Sequence, residues 1–240
     1  MVLQDRVYIV TGASKGFGLA IARTLVESGA RVGLVSRTQA TLDRAVAEIG
    51  PQHALGVAAD VCVRADVIAA FDTIKKHFGR LDGLINNAGM ATPNAIEHLV
   101  EAEVLLQVQT NFLGTVFCSQ AAIPLLRGSD NPRIVNISSA SAWHYDEMSH
   151  LSIYASTKAA VERFTRDLRL EVQGDGIGVT CIRPGGAWTD FAAGWDKAAF
   201  EAALAAWKEA GTHLDTGMDV NHVGGAVQYA LSQPPGVAVD

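Results

Sequence analysis

The sequence predicts a doubly wound α/β fold, a parallel sheet with helices on both faces, on three observations. Short runs nearly continuous in Val, Ile and Leu alternate with longer stretches whose apolar residues recur at helical spacing. Runs apolar on both sides suit a parallel sheet covered on both faces. The first run ends in a turn carrying Gly12, Gly16 and Gly18, which opens directly into a helical pattern, the start of a βα unit.

Taken in order, a strand over Arg6 to Val10 leads into a helix over Gly18 to Ser28, and one over Arg31 to Ser36 into Gln39 to Ile49. Ala54 to Ala58 precedes a helix over Ala65 to Phe78, and Leu81 to Asn86 precedes a long helical stretch over Val100 to Leu126. Arg133 to Ser138 is followed by Ser152 to Val172, and Ile177 to Arg183 by a helix over Asp219 to Ser232. A sheet of about seven strands is expected, with the last cut short where the sequence stops in "PPGVAVD". Gly186 to Gly217, rich in Ala and Trp, breaks the alternation and reads as an inserted helical flap. No Pro/Gly/Ser-rich linker or repeat interrupts residues 1–240, so a single domain is expected.

Composition narrows the partners. The net charge of -6 argues against a nucleic-acid or anionic-membrane surface, either of which calls for a basic face. No apolar run approaches the ~18 residues of a membrane span, and "MVLQDRVYIVTG" has no signal-peptide pattern, so a cytoplasmic address is expected. Cys62, Cys118 and Cys181 are scattered without a C-x-x-C and suit packed thiols. His53, His77, His98, His144, His150, His213 and His222 show no metal-ligand spacing, and no metal is expected.

The glycine turn carries the first chemistry. A strand that ends in such a turn and feeds a helix aims unpaired backbone N–H groups and the positive end of the helix dipole at one spot, where a phosphate fits. A plain tight βα turn is the other reading of the same residues. Tyr154 and Lys158 are four apart, so on a helix they share one face, and an ammonium beside a phenol lowers its pKa toward a value useful for proton transfer.

"TGASKGFG" (Thr11 to Gly18) is followed by Asp60-Val61, "NNAG" from Asn86, Asn111, "ISS" from Ile137, "YASTK" from Tyr154 and "RPGGAWT" from Arg183. Together, in this order, they resemble the classical short-chain dehydrogenase/reductase family across essentially the whole chain. The resemblance implies a Rossmann-type sheet and reversible hydride transfer between a nicotinamide dinucleotide and a carbonyl or secondary alcohol. It makes Tyr154 the general acid or base and Ser139 the hydrogen-bond donor to the substrate oxygen. Lys158 then holds the nicotinamide ribose and tunes Tyr154, and Asn111 orients a relay water. Ser141 is the alternative serine, thirteen residues before Tyr154 where Ser139 is fifteen. Ser138 and Ser141 otherwise read as turn or capping residues.

For the dinucleotide, the resemblance assigns Gly12, Ser14, Lys15, Gly16, Phe17 and Gly18 to the phosphate turn, Asp60 and Val61 to the adenine, and Asn87, Ala88 and Gly89 to the adenosine side. Pro184, Gly185 and Thr189 fall near the nicotinamide, with Thr189 on its carboxamide. Asp60 also reads as a helix cap. Where an NAD-specific member offers a carboxylate after the second strand, this chain has Ser36 and then Arg37, and Lys15 is a second cation. NADP(H) is the expected cofactor.

The substrate pocket is expected from Ser141, Trp143, His144 and Tyr145 on one loop and from Trp188, Phe191 and Trp195 in the flap, an aromatic set that favours an apolar or ring-bearing small molecule. The resemblance also suggests a homotetramer or homodimer through Val100 to Leu126 and the Tyr154 helix. Two other readings stay open: an NAD-linked sugar or polyol dehydrogenase, and a dinucleotide-binding sensor without catalysis.

Overall fold

A computed structural model describes residues 3–143, 148–187, 189–212 and 217–239. Six strands, β1 (Val7–Thr11), β2 (Arg31–Ser36), β3 (Ala54–Ala58), β4 (Gly83–Asn86), β5 (Arg133–Ile137) and β6 (Gly178–Ile182), form one sheet in the order β3-β2-β1-β4-β5-β6. Every pairing is parallel. Helices α1 (Gly16–Glu27), α2 (Gln39–Ile49), α3 (Arg64–Phe78), α4 (Glu101–Val108), α5 (Gly114–Leu126), α6 (Ser152–Glu171), α7 (Lys197–Glu209) and α8 (Val220–Ser232) complete it. Residues 233–239 run beyond α8 without strand pairing, and the buried Arg133 guanidinium donates to the carbonyls of Gln233, Pro234 and Val237 there.

The period of two in β1 sets the two cores. Tyr8 and Val10 face one layer with Ile21 and Leu25 of α1, Leu42 of α2 and Val227 of α8. Val7 and Ile9 face the other, with Phe71 and Ile74 of α3, Leu126 of α5 and Leu168 of α6. Burial on both faces is why these strands read as unbroken apolar runs.

Polar ties fix the register. Asp82, fully buried just before β4, accepts from Val7 N at 2.8 Å, from Arg80 Nε at 2.8 Å and from Ser129 Oγ at 2.6 Å. Toward the other end, Asn86 and Asn136 are register partners, and Asn86 Nδ2 donates to Asn136 Oδ1 at 2.8 Å and to Ser119 Oγ at 3.0 Å. Asn136 Nδ2 in turn donates to Thr165 Oγ1 at 2.8 Å, joining α6 to β5. A one-residue slip would break these bonds and turn every strand side chain to the wrong face.

The long stretch expected as one helix is two. Between α4 and α5, Gln109–Leu113 form a π-helical turn in which Gly114 N donates to Gln109 O. Such wide turns tend to mark functional positions; this one holds Asn111.

Candidate active site

Strand order reverses between β1 and β4, and crevices at such a point, beyond the carboxyl ends of the strands, are where this architecture takes ligands. A cavity of about 360 Å³ lies there. The glycine turn enters it through Gly12, Lys15, Gly16 and Phe17, and the loop after β4 through Asn87, Ala88 and Gly89. Thr11 binds these two segments together: its Oγ1 accepts from the N–H groups of Asn87 and Ala88, both at 3.0 Å.

The turn is bare where it must pack closely against the loop after β4. Gly12 has φ +64°, and a Cβ there would stand 2.9 Å from Ala88 Cα. A Cβ on Gly18 would stand 2.6 Å from Asn87 Nδ2, so this glycine closes the turn from behind the cavity rather than lining it. α1 has no acidic residue in its first turn and no side-chain cap, which leaves its leading N–H groups for an anion.

From the other side β5 and α6 bring the chemical groups. Ser139 follows β5, and Tyr154 and Lys158 stand one turn apart on α6; all three line the cavity. Lys158 Nζ lies 5.8 Å from the Tyr154 ring centroid and donates to Ile137 O at 2.8 Å. Burial pushes the Tyr154 phenol above its ordinary 10.0, and the Ser139 hydroxyl beside it pulls the other way. The sequence-based expectation of a lowered phenol pKa is therefore reversed: removing water from the phenolate outweighs the Ser139 hydrogen bond.

Lys158 is itself buried, which lowers its ammonium from 10.5 to about 8. A depressed lysine pKa means that the fold carries a desolvation cost below about pH 8, which fades toward pH 10.5 as the unfolded chain also loses its proton. Lys158→Met should therefore be more stable than the parent by about 1–2 kcal/mol at pH 7, after the lost bond to Ile137 is subtracted. Melting temperatures at pH 7 and pH 10 check this: the gain should vanish at the higher pH.

The serines separate by their bonds. Ser139 Oγ accepts from Ser141 N at 3.2 Å and from Ser141 Oγ at 2.9 Å, so its own hydrogen is left to point elsewhere. Ser138 turns inward, donating to Lys158 O at 3.1 Å and to Glu162 Oε1 at 2.9 Å. Glu162 also takes Arg183 Nε at 2.7 Å, fastening the strand after which Pro184 and Gly185 line the cavity.

Several expected residues lie elsewhere. Asn111 is 1% exposed and does not line the cavity: its side chain accepts from Met90 N at 2.8 Å and donates to Met90 O at 2.8 Å and Thr157 Oγ1 at 3.0 Å. Its backbone carbonyl accepts from Thr115 Oγ1 at 2.9 Å. Asp60 Oδ1 accepts from Cys62 N at 2.9 Å, while Val63 caps α3 through its backbone, so Asp60 forms a local turn and is not that helix's side-chain cap. Val61 is buried against Gly114. Ser14, half-buried Ser36 and exposed Arg37 also stand outside the cavity wall. The Ser36 Oγ is buried with no partner among the described residues. Trp143 is 68% exposed and off the wall, because the short turn Ala140–Ala142 carries it outward. His144, Tyr145 and Trp188 lie outside the described residues.

The cavity wall on the side away from the glycine turn includes Ser141, Met148, Leu151, Phe191, Trp195 and Trp207. Thr189 lines the cavity, and its Oγ1 accepts from Phe191 N at 3.2 Å. Leu151 and Trp207 were missed in the sequence. Trp207 shares a buried face with Ala203 one turn earlier on α7, a helical period that is readable only once α7 is known to fold over the site. Among the described residues no His, Cys, Asp and Glu grouping could hold a metal ion, and no helix is long and apolar enough to cross a membrane.

A family model described as short chain dehydrogenase matches residues 6–199. Oxidoreductase BOA17 of Botryotinia fuckeliana (strain B05.10) is 35% identical over 187 residues, 78% of this chain and 68% of that protein. An uncharacterized oxidoreductase of Staphylococcus aureus (strain N315) is 31% identical over 239 residues, 100% of this chain and 96% of the relative. Among solved structures, the 3-ketoacyl-(acyl-carrier-protein) reductase from Brucella melitensis complexed with NADH superposes with a TM-score of 0.85 at 28% identity, covering 99% of this chain and 97% of that one.

Proposed function

The chain belongs to the short-chain dehydrogenase family, and we propose that it is an NADP(H)-dependent oxidoreductase interconverting a carbonyl and a secondary alcohol, with Tyr154 moving the proton. The observation that carries this reading is the meeting of Tyr154, Ser139 and Lys158 in one cavity that the glycine turn also lines. When bound, the dinucleotide supplies or takes up the hydride. Negative charge growing on the substrate oxygen is met by the Tyr154 O–H, which gives up its proton, and by the Ser139 O–H, free to donate because Ser141 fills its acceptor side. Lys158, whose Nζ donates to Ile137 O and stands 5.8 Å from the Tyr154 ring centroid, holds the nicotinamide ribose and tunes the phenol. Asn111, its side chain committed to Met90 and Thr157, ties the segment after β4 to α6 rather than touching the substrate.

The choice of NADP(H) rests on Ser36 where a carboxylate would repel a 2′-phosphate, and on the exposed cations Arg37 and Lys15. Charge-assisted bonds of about 1.5–3 kcal/mol each correspond to roughly ten- to hundredfold in affinity. Arg37→Asp should weaken NADPH binding by about that factor and favour NADH. Turnover of one carbonyl substrate with each dinucleotide is the check, and a parent enzyme that prefers NADH would overturn the assignment.

The same reading gives a homodimer or homotetramer paired through α4, α5 and α6, on which Leu105 is 51% and Leu170 68% exposed. Sedimentation of the purified chain as a monomer at micromolar concentration would contradict it.

A further inference from the structure

We propose that the carbonyl compound taken by this site is uncharged and carries a flat ring, with Phe191 and Trp195 as the residues that select it; this rests on the oxidoreductase reading above. Ring contacts run outward from the Tyr154 phenol in an unbroken series. Tyr154 and Phe191 have centroids 5.8 Å apart, Phe191 and Trp195 5.9 Å, Trp195 and Phe200 5.2 Å, and Phe200 and Trp207 6.3 Å. The last three meet edge to face, the arrangement in which positive ring edges address negative ring faces.

The series is open at the cavity. Phe191 lines the wall beside Tyr154 and is 42% exposed, so part of its ring is presented to whatever sits over the phenol. An incoming ring extends the series at the same spacing, whereas a flexible chain gains only the area it covers and loses its rotational freedom. The far end is anchored: Trp207 Nε1 donates to Ser149 O at 2.6 Å, and its ring packs with Leu151 and Ala203. The wall is thus held in place before any ligand arrives, which favours a rigid guest.

Charge points the same way. Among the described residues, the cations lining the cavity are Lys15, in the glycine turn, and Lys158, engaged by Ile137. The charged group that the flap adds to the wall is the Asp190 carboxylate. Among the described residues, a phosphate-bearing or carboxylate substrate finds no cation on the flap's part of the wall and meets an acid there.

The test compares three probes on the full chain with NADPH and with NADH: 1-phenyl-1-propanone, 2-nonanone, which has the same carbon count without a ring, and acetoacetyl-coenzyme A as the anionic thioester. The expected result is a kcat/KM for the aryl ketone at least about tenfold above either of the others. Phe191→Ala should shrink the aryl-to-alkyl ratio by about two- to tenfold, the equivalent of one ring pair. Phe191→Leu, which keeps an apolar side chain, should shrink it as well, and Trp195→Leu likewise. Because a loosened fold lowers both rates together, the ratio separates selection from damage. Equal or faster turnover of 2-nonanone or of the thioester would overturn the proposal, as would a ratio unmoved by all three variants. If none of the probes is reduced with either dinucleotide, the oxidoreductase reading falls and this one with it.

Discussion

Tyr154→Phe is expected to lower turnover by about 10²–10⁴-fold, the range for losing a positioned general acid, while leaving dinucleotide affinity within about twofold. The ring survives in this variant, so its contact with Phe191 and its place over Lys158 are kept and only the hydroxyl goes. The pH profile adds a second readout. Burial raises the phenol, so in the reducing direction it holds its proton throughout the neutral range. In the oxidising direction it must first lose that proton, and the rate should climb with pH in the alkaline range. The phenylalanine variant should lack that climb. Undiminished turnover, or an unchanged alkaline limb, would remove Tyr154 from the chemistry.

Asp82→Ala is expected to cost about 3 kcal/mol of stability, and so roughly 6–12 °C in melting temperature for a chain of this size. Asp82 is fully buried where β1, β4 and the segment before β5 converge, and its loss strands the buried Val7 N–H as well as the Ser129 hydroxyl. The half-exposed Arg80 can turn to water, which keeps the figure at the low end of the range for broken buried pairs. Burial alone would push the Asp82 carboxyl up, but Arg80, Ser129 and the Val7 N–H together hold it below 3.8. A depressed carboxyl pKa contributes stability that is complete above the unfolded value near 3.9 and is lost as pH falls through the folded one. The deficit of Asp82→Ala should thus be full at pH 7 and shrink below about pH 4. A deficit that is constant from pH 7 to pH 3, or a melting temperature within about 2 °C of the parent at pH 7, would contradict this role.

The sheet was legible because its central strands β1, β4 and β5 are buried on both faces and so could not avoid an apolar run. β2, β3 and α2 fall where the pattern put them, and the other strand ends shift by one or two residues. Segment identity is strong in such runs and boundaries are weak. The break at Gln109–Leu113 was not legible, since a π turn changes the bonding partner by one residue without altering which residues are apolar. In the candidate site, the meeting of Tyr154, Lys158, Gly12 and Gly16 at one cavity was readable because it depends on spacing along one turn or one helix. The substrate wall was only half readable. Trp143 and Trp207 are the same residue type in neighbouring parts of the site, yet one faces water and the other is 4% exposed. Which way each turns depends on how the flap folds back, a long-range fact that no local pattern encodes.

The base of that flap has a consequence of its own. Ala187 and Met218 form an isolated parallel bridge, and Met218 N donates to Gly186 O at 2.9 Å, so the excursion leaves and rejoins the body at one point. Its two feet are stitched together, and the phenol, serine and lysine come from β5 and α6, outside it. Such a module can vary as a unit, much as a tool head is changed on a fixed handle, while the cavity groups of β5 and α6 stay in place.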